Sequence, residues 1–301
     1  MKTHKFALLG AFLVITYFVS AQDYAFKVLA NKGNNEVKSG ESWLPLKTGS
    51  SLKTSDELRL ADNAYIGLVH ATGKPLEVKQ SGVHKVSVLE SQIGSGSSVL
   101  SKYTDFILSS NSAEAKKNRL SATGAVHRGV GENTAAINVL FPEKNQHCGI
   151  YNNTAVINWQ GSNVAGPYVV TLRNMFEDVL TKEETAETNF KVDLSNEKYA
   201  NETAILIDVS SKADPKIVST QHLIKRLSPA EKEKIKTAMS EITSDVSEQT
   251  PLNKLILAGF YEQNNLLIDA IVAYEDAIVI APDVPSFQEA YDEFLVRNAL
   301  K

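Results

Sequence analysis

PLNKLILAGFYEQNNLLIDAIVAYEDAIVIAPDV, residues 251–284, is the stretch that decides the C-terminal fold. Thr250 followed by Pro251 marks a helix start, because proline suits the first helical position, where an N–H would have no partner within the helix. Leu255, Ala258 and Phe260 then lead into Tyr261, and a second helical run from Leu266 carries Ala270, Ile271, Tyr274, Ala277 and Ile278. Pro282 stops that run. Downstream, Ser286 to Ala299 is also helical in pattern. Upstream, Ser228-Pro229-Ala230-Glu231 supplies a cap, a first-turn proline and a glutamate three residues after the cap, and Ile235, Met239 and Ile242 trace an apolar stripe towards Asp245.

The paired helices resemble a tetratricopeptide repeat (TPR). The positions that carry the resemblance are Leu257, Ala258, Tyr261, Ala270, Tyr274, Ala277 and Pro282; the family's Trp-like position falls on Lys254 and its Gly position on Ala258. The resemblance implies two antiparallel helices brought close by Ala258, Ala270 and Ala277, with Tyr261 and Tyr274 filling the space between them. A single repeat leaves apolar faces open, so helices at 229–245 and 286–299 are expected to cover its two sides. It also implies a protein partner.

N-terminal to these helices the periodicity is that of strands. AINVLFP, AVINWQG, YVVTLRN, FKVDLS and ETAILIDVSS, between residues 136 and 210, alternate or run apolar over five to eight residues with turns between them, as in a small β sandwich. Pro142, then Ala155 to Trp159, then Tyr168 to Leu172 resemble Ig-like or fibronectin-type modules of secreted bacterial proteins. That resemblance implies a core position for Trp159.

From Tyr24 to about Glu90, YAFKVLA, NEVKSG, SWLPLKTG, ELRLAD, AYIGLVHATG, PLEVKQSG and HKVSVLE predict six or seven short strands punctuated by Gly33, Gly40, Gly49, Gly73 and Gly82. Residues 35–85 resemble the FecR-like β domain of bacterial envelope proteins, through Val37, Trp43, Pro45, Leu46, Gly49, Leu52, Asp56, Leu58, Leu60, Ala64, Ile66, Leu68, Gly73, Leu76 and Gly82. Ser55-Asp56 stands where that family has Gly-Asp, and Arg59-Leu60 where it prefers Arg-Thr. The resemblance implies an envelope or signalling setting.

Between the β modules, Gly94-Ser95-Gly96-Ser97-Ser98 has the composition of a joint, and a short helix is expected over about 97–109. Lys116, Lys117 and Arg119 read as a solvated face. Gly124 to Gly131 has no following Lys-Ser/Thr and no Gly-x-Gly-x-x-Gly spacing, so it reads as a crossing segment and not as a phosphate loop.

Residues 1–21, MKTHKFALLGAFLVITYFVSA, combine a basic start (Lys2, His4, Lys5), an apolar run of about 14 residues and small residues at Val19 and Ala21, the pattern of a cleaved secretory signal. The run is shorter than the roughly 20 residues that span a bilayer. The expected address is therefore exported, periplasmic or secreted, with no transmembrane segment in the mature chain. The whole chain of 301 residues carries a net charge of −4, and removal of Lys2 and Lys5 makes it more acidic. A concentrated basic patch for nucleic acid is not present in such a composition. With one cysteine, Cys148, no intramolecular disulfide can form.

Chemistry-bearing patterns are sparse. His70, His84, His127, His147 and His222 lie on separate segments without HxH or HExxH spacing. Asp56-Glu57 and Glu183-Glu184 lack the alternating ligands of a calcium loop, and Gly94-Ser95-Gly96-Ser97 is not a nucleophile elbow. The sequence names no catalytic residue, cofactor or metal ligand.

The expected organisation is an export signal (1–21), a FecR-like β domain (22–93), a linker with a short helix (94–134), an Ig-like β sandwich (135–212) and a TPR-like helical domain (213–301): a multidomain β + α protein with two all-β modules and an all-α C-terminal module. The expected function is protein association at the bacterial envelope, without enzymatic activity. One rival is carbohydrate or cell-wall binding, which would need Trp43, Tyr65 or Tyr168 exposed in a shallow groove. The other is an enzyme of unfamiliar class, which would need a cleft of convergent carboxylates or histidines.

Overall fold

The computed structural model describes residues 24–96, 98–112, 114–115, 117, 137–144, 146–161, 164–246 and 249–301. The export signal, the segment from Gly124 to Gly131 and, within the basic cluster, Lys116 and Arg119 lie outside the described residues.

Alternating short runs at the N-terminus fold as β1 (Phe26–Lys32), β2 (Glu36–Ser39), β3 (Ser42–Pro45), β4 (Ser51–Leu52), β5 (Glu57–Leu60), β6 (Tyr65–His70), β7 (Pro75–Val78) and β8 (Gly82–Lys85). They form two four-stranded sheets, ordered β4-β1-β6-β7 and β3-β2-β5-β8, whose shared core holds Phe26, Val28, Leu58, Ile66 and Leu68. HKVSVLE departs from the strand expectation. The strand stops at Lys85 and α1 (Val86–Ser91) follows, because Val86 and Leu89, three residues apart, are the pair that turns inward. Gly73 (φ 91°) is pressed against the chain that leaves this unit, and a Cβ there would lie 2.6 Å from the Ser98 carbonyl oxygen. Beyond it, the expected helix of 97–109 is α2 (Ser101–Ser110), which buries Tyr103, Thr104 and Ile107.

The second β unit comprises β9 (Ile137–Val139), β10 (Gly149–Ile150), β11 (Thr154–Gly161), β12 (Tyr168–Arg173), β13 (Val179–Thr185), β14 (Asn189–Asp193), β15 (Ala204–Ser211) and β16 (His222–Arg226). A five-stranded sheet runs β10-β16-β15-β12-β13 and a three-stranded sheet runs β14-β11-β9. β11 buries alternate residues Ala155, Ile157 and Trp159, and the Trp159 ring meets Tyr168 edge-on at 5.4 Å. Three strands, β10, β13 and β16, were not expected. β16 pairs antiparallel with β15, so this unit continues past residue 212 to Arg226.

The remaining helices are α3 (Pro229–Ser240), α4 (Pro251–Gln263), α5 (Leu267–Ile280) and α6 (Pro285–Arg297). Ser228 and Glu231 form the reciprocal capping pair expected at the start of α3. The packing around the α4–α5 pair differs from expectation. α2 lies on α4, α5 lies on β10 and β11, and α6 lies on α5 and β1, whereas α3 buries Ile235 and packs Ala238 and Met239 partly buried against the core. The apolar faces of the pair are thus shared between α2, α6 and the strands β10 and β11. One continuous core runs from Leu29, Tyr65 and Val69 through Tyr103, Ile107 and the helices to Ala155, Ile157 and Trp159. Among the described residues no helix is long and apolar enough to cross a membrane.

Candidate interaction surface

Of the helix-pair positions singled out in the sequence, Ala258, Ala270, Tyr274 and Ala277 are fully buried, Tyr261 is buried and Leu257 is half-buried against the core. Pro282 is exposed just beyond the end of α5 at Ile280. The neighbouring Gly259 lets α2 approach closely, since a Cβ there would come within 2.8 Å of the Ile107 side chain. The buried positions therefore form seams between elements.

The seams carry most of the shifted titratable groups. Asp269, at the start of α5, accepts the backbone N–H of Tyr151 at 2.8 Å and of Asn152 at 2.9 Å, and burial pushes its carboxyl up to about 6. Six residues on, Glu275 accepts Asn158 Nδ2 at 2.9 Å, and burial raises its carboxyl as well. On the other β unit, Glu77 accepts the Tyr65 hydroxyl at 2.7 Å and the Leu252 N–H at 3.1 Å. Burial pushes Glu77 up, but hydrogen bonds from Lys79, Tyr65 and Leu252 together hold it below the usual carboxylate range. At the far ends of α4 and α6, the Arg297 guanidinium grips buried Glu262 through two 2.6 Å bonds and reaches the Tyr274 hydroxyl at 3.1 Å. In the second β unit, burial lowers His222, whose Nδ1 lies 3.1 Å from the Pro142 carbonyl oxygen. Among the described residues no group of three or more His, Cys, Asp or Glu is arranged to hold a metal ion.

The expectation of an exposed aromatic groove is corrected for two of its three rings. Tyr65 is 5% exposed, edge-on to Phe287 at 5.8 Å, and Tyr168 is 4% exposed, donating to the Val164 carbonyl at 2.7 Å. Phe287 reaches Tyr65 from the distant α6, whereas Tyr168 is covered from nearby in the chain by Trp159 and the Val164 carbonyl. Trp43 is half-buried, with the Arg59 guanidinium carbon 4.3 Å from its ring centroid.

The prominent exposed apolar feature lies elsewhere, at the turn joining β12 to β13. Asn174 Oδ1 accepts the N–H of Phe176 at 2.9 Å and of Asp178 at 3.0 Å, while its Nδ2 donates to Asp178 Oδ2 at 3.0 Å. The Asn174 N–H also reaches the Asp178 carbonyl at 3.0 Å. One asparagine thus closes the loop on itself. On this fixed loop Phe176 is 86% exposed, beside Met175 at 55% and Val179 at 57%. The sequence signal was a Met-Phe pair between Asn174 and Asp178, in a turn that would ordinarily be polar.

Across the same sheet, next to β10 and β16, lies a cleft of 450 Å³. Leu227, Ile235 and Leu266 give it apolar walls, and Lys225 and Lys234 are exposed at its rim. Glu231, also on the cleft, is engaged by the Ser228 hydroxyl and N–H. Buried Cys148 lies on its wall.

No family model matches the chain, and no curated protein matches it.

Proposed function

We propose that this protein is an exported bacterial envelope protein that works as a protein–protein interaction scaffold, and that its docking element is the β12–β13 turn. The observation that carries the reading is Phe176, an aromatic ring exposed on a loop already closed by Asn174. Large aromatic anchors dominate the energetics of protein interfaces, and a loop held in one conformation loses little entropy when it docks. Acidic Glu177 and Asp178 beside the ring disfavour an anionic lipid surface as its target.

The module identities belong to the same proposal. The two four-stranded sheets over residues 26–85 support a FecR-like domain, the Trp159–Tyr168 pair supports an Ig-like sandwich, and the buried alanines between α4 and α5 support a TPR-like helical pair. Residues 1–21 support export. Burial of Tyr65 and Tyr168 leaves half-buried Trp43 as the one ring of the three available to the carbohydrate reading, which weighs against it.

The test places a photo-crosslinking phenylalanine analogue at position 176, and at exposed Val279 as a control, in protein expressed in bacteria with an envelope. A discrete protein adduct specific to position 176 supports the scaffold reading, and its absence under native expression overturns it. Export is read separately, by mass spectrometry of the N-terminus, which should begin at Gln22.

A further inference from the structure

The β12–β13 turn and the basic cleft differ in shape, polarity and charge, and they are complementary in all three. The turn exposes Met175 and Phe176 next to the carboxylates of Glu177 and Asp178, of which Glu177 also lies 3.9 Å from Arg173 Nε and accepts Gln221 Nε2 at 3.4 Å. The cleft is concave, walled by Leu227, Ile235 and Leu266, and rimmed by Lys225 and Lys234. Its 450 Å³ falls within the range of roughly 300–1,000 Å³ in which concave sites enclose small apolar groups. The sheet order β10-β16-β15-β12-β13 assigns the turn to one edge and the cleft to the other. Among the described residues Phe176 is left 86% exposed, open to the cleft of another molecule.

We infer that the partner of the turn is a second copy of this chain: Phe176 of one molecule enters the cleft between β16 and α3 of the next, with Glu177 and Asp178 facing Lys225 and Lys234. This inference rests on the docking reading above and names its partner. The contact joins two different patches, so it is heterologous, and repetition produces rings where the rotation closes and filaments where it does not. One aromatic, one methionine and a few screened charges make a weak contact, so association is concentration-dependent and loosens as salt rises.

Sedimentation velocity on the purified protein, over a series from about 5 to 500 µM at low and high salt, tests it. The expected result is a rise in average mass with concentration, reduced at least tenfold in apparent affinity by Phe176→Ser and by the pair Lys225→Glu, Lys234→Glu. All of these positions are exposed, so the variants should keep the native circular dichroism spectrum. The decisive arm mixes the lysine variant with a Glu177→Lys, Asp178→Lys variant, in which the reversed charges face each other. The mixture should associate where the doubly mutated lysine chain alone does not. A protein that stays monomeric throughout, or one whose association ignores Phe176→Ser, overturns the inference. A Phe176 photo-adduct to a different protein, with the purified chain monomeric, would sink this inference while keeping the docking reading, whereas no adduct at all would sink both.

Discussion

Asp269 and Asn152 meet across the seam between α5 and the second β unit. The Asp269 carboxylate accepts the Asn152 N–H at 2.9 Å, while the Asn152 side chain donates to the hydroxyl of Tyr261 on α4 at 2.9 Å. The helix pair is therefore fastened to the loop after β10 by a carboxylate that reads backbone amides. An apolar contact alone could slide along this loop; two directed bonds to successive N–H groups fix its register.

Removal of that carboxylate leaves two N–H groups, at half-buried Tyr151 and exposed Asn152, without their acceptor at the seam. A donor left unpaired costs about 1–3 kcal/mol when buried and less where water reaches it, so Asp269→Ala should lower the unfolding free energy by roughly 1–3 kcal/mol in all. Urea denaturation followed by tryptophan fluorescence checks this. A loss below about 0.5 kcal/mol, the range of an ordinary surface change, would show that water replaces the carboxylate.

The same group sets a pH dependence of definite sign. Burial pushes Asp269 up to about 6, against 3.8 for an ordinary aspartate. Between those values the folded chain holds a proton that the unfolded chain has released, so this contribution is fully present below pH 4 and is lost as pH rises through about 6. Its full size is about 3 kcal/mol, and Glu275, also raised by burial, acts in the same direction. Glu77, held low by its donors, acts oppositely, and its stabilisation is lost as pH falls below the usual glutamate range. Unfolding free energies from pH 4 to 7 should decline less steeply with rising pH in Asp269→Asn than in the parent chain. Parallel profiles would refute the assignment.

Arg297 and Glu262 form the corresponding lock at the ends of α6 and α4. Both side chains are buried, so removal of one leaves the other charged and without its partner. Arg297→Met should cost roughly 3–5 kcal/mol, and the double change Glu262→Gln, Arg297→Met should regain much of it. A double-mutant cycle in urea gives the coupling directly. Coupling below about 1 kcal/mol would place the pair with exposed salt bridges.

The parts of this fold legible in the sequence are those whose signal is local. Pro251 and Pro282 bound the helix pair, Ser228 and Glu231 write their own cap, and alternate burial along β11 follows from Ala155, Ile157 and Trp159. β13 escaped notice because an edge strand with Lys182, Glu183 and Glu184 has no alternating apolar face; such charges blunt the open edge. α1 was misread because Val86 and Val88 alternate like a strand, whereas the core takes Val86 and Leu89. Tyr65 could not be placed from its neighbours in sequence. The ring that covers it, Phe287, is brought to it only by the tertiary fold. Phe176 posed the reverse difficulty, an apolar residue left outside by a turn whose backbone hydrogen bonds converge on Asn174.

Gly259 offers a final prediction, because two opposing effects act on the same residue. Within a helix, Gly→Ala is favourable by roughly 0.8–1.0 kcal/mol. Here the new Cβ would lie 2.8 Å from Ile107 Cδ1, 2.9 Å from Ile107 Cγ1 and 3.3 Å from the Tyr103 carbonyl oxygen. The Ile107 side chain is buried in α2, so relief requires α2 to move outward, and overpacking of this kind costs about 1–3 kcal/mol. The clash should outweigh the propensity gain, and its effect should be confined to α2. Hydrogen exchange in Gly259→Ala should quicken across Ser101–Ser110 while the α4–α5 pair keeps its protection. Pairing the change with Ile107→Ala should restore protection in α2, since the second substitution removes the two nearest atoms. If exchange in α2 is unchanged by Gly259→Ala, the close approach of the two helices is not what glycine at this position provides.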